Sequence, residues 1–85
     1  DPAQLPPGMP ATPAGQAEHA ERIVATLRRA PHDRGWGFFW WEGTWIATPG
    51  NGWDPDDPAA GNGWENQALF DFDGRPLPAL SKFRP

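Results

Sequence analysis

The chain has 85 residues, enough for one small domain, and a chain of that length buries only about 60% of the surface its unfolded form exposes. It contains no cysteine, so no disulfide can compensate for a thin core. A net charge of -4 with seven scattered basic residues argues against a nucleic-acid partner, because phosphate binding needs clustered Lys and Arg. No run approaches the roughly 20 apolar residues that span a bilayer, so no membrane partner is expected. Twelve prolines and ten glycines favour loops, yet six tryptophans and five phenylalanines carry too much apolar surface for a disordered chain. The expectation is a loop-rich folded piece.

Residues 1–11 hold Pro2, Pro6, Pro7 and Pro10, which exclude regular helix and remove backbone donors, so this segment reads as a connector. A helix is expected over residues 12–30. Thr12 suits the N-cap, and Pro13 suits the first helical position, where its missing N–H costs nothing. Ala17, Ala20, Ile23, Val24 and Leu27 recur at helical spacing on one face. Glu18 and Glu21 lie early and Arg28 and Arg29 late, in the sense the helix dipole prefers. Ala30-Pro31 ends the helix, and a short polar link leads to Gly35.

Residues 36–46 are an aromatic apolar run, Trp36-Gly-Phe-Phe-Trp-Trp-Glu-Gly-Thr-Trp-Ile46, which reads as a buried strand. A helix with one apolar face feeding a two-sided apolar strand is the pattern of an α/β unit from a parallel sheet. Glu42 interrupts the run near its end, between Trp41 and Trp45. A carboxylate is costly to bury among indoles without partners, so Glu42 is expected to face a site. Residues 47–66 then form a long Pro- and Gly-rich loop, a length that in compact proteins is usually functional. The closing segment, 67–85, carries a short apolar stretch, a turn at Asp73-Gly74 and the beginning of a helix at Leu77-Pro78.

With these residues in view, the chain resembles the end of the arabinogalactan endo-β-1,4-galactanases, glycoside hydrolase family 53. Gly37-Phe-Phe-Trp-Trp-Glu-Gly-Thr-Trp45 is similar to that family's last-strand motif, approximately Gly-Val-x-Tyr-Trp-Glu-Pro-Ala-Trp. Trp40 takes the place of its tyrosine and Gly43-Thr44 that of Pro-Ala. Trp64-Glu-Asn-Gln-Ala-Leu-Phe-Asp-Phe-Asp-Gly74, followed by Leu77-Pro-Ala-Leu80, is similar to the family's closing segment. Pro10-Ala-Thr-Pro-Ala-Gly-Gln16 looks like the start of its seventh helix.

The resemblance implies a C-terminal piece of a (β/α)8 TIM barrel: seventh helix, eighth strand, long eighth loop and start of the eighth helix. In such barrels the active site lies at the C-terminal strand ends, where Glu42, Trp45 and the 47–66 loop would fall. The implied activity is endo-hydrolysis of β-1,4-galactosidic linkages by a retaining mechanism, with paired carboxyls about 5 to 5.5 Å apart. Those two glutamates belong to strands four and seven, so no catalytic residue is expected here. Trp41 matches the family tryptophan whose indole can stack on a sugar, the alternative being a core residue. Glu42 either binds a substrate hydroxyl or is satisfied by loop backbone donors. Trp45 is read as a further wall of the cleft, and Trp40, alternating to the other side, as packing.

No cofactor is required by this reading. Some family members carry a structural calcium, for which Asn62 and Glu65 are the candidate ligands and Asp54, Asp56 and Asp57 weaker ones. The implied partner is the galactan polysaccharide, with an extracellular parent acting as a monomer. A different class also fits the tryptophans: a small non-catalytic carbohydrate-binding piece that uses them as platforms.

Overall fold

The computed structural model describes residues 5–46 and 67–83. The chain divides into two compact units, Asp1–Phe39 with Leu77–Pro85, and Trp40–Pro76.

The first unit is organised by α1, Pro13–Arg28. Its start follows from local chemistry: Thr12 is extended (φ -142°, ψ 159°), and its Oγ1 accepts the Gly15 N–H at 3.0 Å. One donor that the first turn leaves orphaned is thereby satisfied, and Pro13 has none to satisfy. At the other end the Arg29 N–H donates to the Thr26 carbonyl at 3.2 Å and the Ala30 N–H to that of Leu27 at 3.0 Å. Arg28 lies in the last turn as expected, but no acidic residue lies in the first. Glu18 and Glu21 sit too far along α1 for a dipole effect that fades within a turn. Glu18 pairs instead with Arg22 one turn on.

The apolar face of α1 covers a closing 3-10 helix, Pro78–Phe83, and the two elements pack together. Buried Ala17 and Ala20 on α1, and Ala79 on the 3-10 helix, are all small. Ile23, Val24 and Leu27 are half-buried. Phe38 meets Phe83 edge to face with centroids 5.5 Å apart, and Lys82 Nζ lies 3.4 Å from Glu21 Oε2. Gly15 is required by close approach, since a Cβ there would collide with the Pro10 carbonyl.

Two expectations are corrected. Residues 36–46 form no strand: 34–40 have no regular hydrogen-bonded structure and 41–44 make a turn. Among the described residues the sole β pairing is an isolated antiparallel bridge between Phe70 and Pro76. An apolar run becomes a strand only where a second backbone offers its N–H and C=O groups, and among the described residues none forms a β bridge with 34–40. Trp36 (93% exposed) and Phe39 (103%) accordingly face solvent. The helix expected from Leu77 is the 3-10 helix just described. The polar link after α1 contains a further 3-10 turn, Pro31–Asp33, with His32 and Asp33 both left-handed (φ 59° and 53°).

In the second unit, the turn expected at Asp73-Gly74 is present. The Gly74 N–H donates to the Asp71 carbonyl at 2.9 Å, and Asp71 Oδ1 accepts the N–H groups of Asp73 and Arg75 at 3.0 and 2.8 Å. Gly74 has a φ of 77°, which glycine adopts without steric cost. Among the described residues of this unit, Ala68 and Leu69 are the buried hydrophobic ones.

A candidate carbohydrate-binding turn

The candidate site is the turn at 41–44. Trp41 is 67% exposed and Glu42 and Trp45 are half-buried. Glu42 is left-handed, with a φ of 53°, and its carbonyl accepts the Trp45 N–H at 3.0 Å. The structure therefore gathers Trp41, Glu42 and Trp45 into one turn, where the sequence suggested a strand end.

The segment 67–69 holds this turn from both sides. Trp40 Nε1–H donates to the Gln67 carbonyl at 2.8 Å, and the Leu69 N–H donates to the Gly43 carbonyl at 2.7 Å. The approach at Gly43 is tight, since a Cβ there would lie 3.2 Å from Leu69 Cδ1 and 3.4 Å from Trp40 Cδ1. Sequence reasoning assigned Trp40 to packing and missed its hydrogen bond. It also passed over Gly43, although a Glu-Gly pair inside an apolar run is a turn signal.

Chemically, an exposed indole beside a carboxylate can receive a sugar: apolar C–H groups stack on the ring and a hydroxyl donates to the carboxylate. The start of α1 offers no alternative. Its hollow, lined by Pro10, Glu18, His19 and Arg22 among others, has about 10 Å³, room for one water. Asn62, Glu65, Asp54, Asp56, Asp57, Trp53 and Trp64 lie outside the described residues. Among the described residues no three His, Asp or Glu side chains converge as a metal site would require.

The glycosyl hydrolase family 53 profile matches residues 2–83, nearly the whole chain. The chain belongs to glycosyl hydrolase family 53. It is also 34% identical over 80 residues to a protein of Niallia circulans described as "Uncharacterized protein in bgaB 5'region". That match covers 94% of the chain but 21% of the relative, so the chain spans about a fifth of the length of the relative it matches. No solved structure matches it. Membership of family 53 implies a TIM barrel fold; the described residues themselves show helix and turns. The turn bearing Trp41, Glu42 and Trp45 falls inside the matched region.

Proposed function

We propose that the full-length protein carrying this chain is a secreted, monomeric endo-hydrolase that cleaves β-1,4-galactosidic linkages of arabinogalactan by the retaining mechanism. The observation that carries this reading is the exposed Trp41 indole beside Glu42 in a chain of family 53. Trp41 stacks on the apolar face of a galactose unit, Glu42 accepts a hydrogen bond from one of its hydroxyls, and Trp45 walls the cleft. Neither Glu18 nor Glu21 serves as acid or nucleophile, since both are exposed on α1 and engaged with Arg22 and Lys82 respectively. The carboxyl pair that retaining hydrolysis requires lies in the rest of the parent, and the 85 residues alone are inactive. The oxygen donors of Asn62 and Glu65 suit calcium in kind, and the proposal includes a structural calcium there, with no catalytic step routed through it.

The test is reducing-sugar release by the full-length protein from β-1,4-galactan, with β-1,4-glucan and β-1,4-mannan as controls. Turnover on galactan alone, with retention of anomeric configuration in the first product, is the expected result. Galactan binding without turnover would replace this reading with the non-catalytic sugar-binding one, and inversion would remove the retaining mechanism.

A further inference from the structure

Glu42 holds a left-handed backbone conformation, which an L residue with a Cβ adopts about ten-fold less readily than the right-handed one. Such conformations persist where surrounding structure over-determines them, and they concentrate at functional sites. Here the determinants are two long-range hydrogen bonds. The residues flanking Trp41 and Glu42, namely Trp40 and Gly43, are each bonded to a segment more than twenty positions away, at Gln67 and Leu69. That segment is anchored by buried Ala68 and Leu69, whereas Trp41 between the two bonds is open to solvent.

We infer that Trp40 is a positioning residue: its indole N–H, together with the Gly43 carbonyl, staples the 40–43 segment to 67–69 and so fixes the directions in which Trp41 and Glu42 meet the polysaccharide. The inference rests on the proposed reading that Trp41 and Glu42 contact the sugar. It gives Trp40 a role that requires a donor on the ring. A phenylalanine would fill much of the same space, but the indole is a donor and the phenyl ring is not. It also explains Gly43, whose lack of a Cβ lets its carbonyl approach the Leu69 N–H beside the Trp40 ring.

The test is Trp40→Phe in the full-length protein, alone and with Glu42→Asn, a residue that tolerates the left-handed conformation. Losing one hydrogen bond lowers the stapled population up to roughly five-fold, and apparent substrate affinity falls with it. KM for galactan is expected to rise roughly three- to five-fold with kcat within about two-fold, the pattern of lost uniform binding. With asparagine at 42, Trp40→Phe should raise KM by less than about two-fold, because the strain that the staple offsets has been relieved. An unchanged KM, or an equal rise in both backgrounds, would overturn the inference.

Amide hydrogen exchange gives a second, activity-independent readout. Trp40→Phe should accelerate exchange at Leu69, whose acceptor is Gly43, and leave the amides of α1 unchanged. Uniform acceleration would mean general destabilisation and would also overturn it. Absence of galactan turnover in the unsubstituted protein would instead sink the proposed function, and the exchange result would then decide the staple by itself.

Discussion

Gly15→Ala separates packing from propensity because the two predict opposite signs. Alanine is preferred to glycine within a helix by up to about 1 kcal/mol, so propensity alone predicts a more stable protein. The structure predicts the reverse. A Cβ at residue 15 would run into the Pro10 carbonyl, with Pro10 Cβ a further 3.2 Å neighbour. Pro10 cannot easily yield, since its ring restricts φ and its carbonyl accepts the Thr12 N–H at 2.9 Å. Forcing a methyl into a filled space costs about 1–3 kcal/mol. Moving the 10–12 segment also disturbs the Thr12 cap, worth about 1 kcal/mol. After subtracting the propensity gain, a net loss of about 1–3 kcal/mol remains. For a domain of 150–250 residues a loss of 1 kcal/mol lowers Tm by about 2–4 °C. Scanning calorimetry of the full-length variant should therefore show a lower Tm, by less per kcal/mol than in a domain of that size if the protein is longer. An equal or higher Tm would refute the close approach of Pro10 to α1.

The remaining substitutions probe other single contacts. Thr12→Ala should cost about 1 kcal/mol in chemical denaturation through loss of the bond to the Gly15 N–H, and Thr12→Ser should recover most of it. Glu21→Ala should change stability by no more than about 0.5 kcal/mol, because Glu21 is exposed and its pair with the half-buried Lys82 is long at 3.4 Å and open to screening. Replacing His32 with Asn and Asp33 with Gly together should raise stability by about 1 kcal/mol, since both positions are left-handed and the new residues suit that conformation. If calcium is held by Asn62 and Glu65, chelation should lower Tm in the unsubstituted protein, and a Glu65→Gln variant should show a smaller response.

What the sequence revealed depended on how local the cause was. The start of α1 was legible because Thr12 and Pro13 act on donors within one turn, and the turn at 71–75 because Asp71 and Gly74 act on their own backbone. The apolar face of α1 was legible for the same reason, with Ala17 and Ala20 buried as their spacing predicted. The reading of 36–46 as a strand failed because an apolar aromatic run signals a capacity for burial and carries no information about which backbone will pair with it. Trp36 and Phe39 show the difference, being apolar in sequence and open in the structure.

At the candidate site, the gathering of Trp41, Glu42 and Trp45 followed from their adjacency. The staple did not. The partners of Trp40 and Gly43 lie at Gln67 and Leu69, across a separation over which no periodicity or spacing in a single sequence carries a signal. The left-handed backbone at Glu42 was equally invisible, because glutamate is an ordinary residue in helices and strands and its conformation here is imposed from outside the turn.

The central claim, that the Trp41 face receives galactan, is tested most directly by Trp41→Ala in the full-length protein, read as KM and kcat on β-1,4-galactan. Covering an exposed indole face stabilises a complex by about 1.5–3 kcal/mol, and each 1.4 kcal/mol is ten-fold in affinity. KM should rise about ten-fold or more while the Tm changes little, since the removed ring is mostly exposed. An unchanged KM with a lowered Tm would contradict the account and make Trp41 part of the fold.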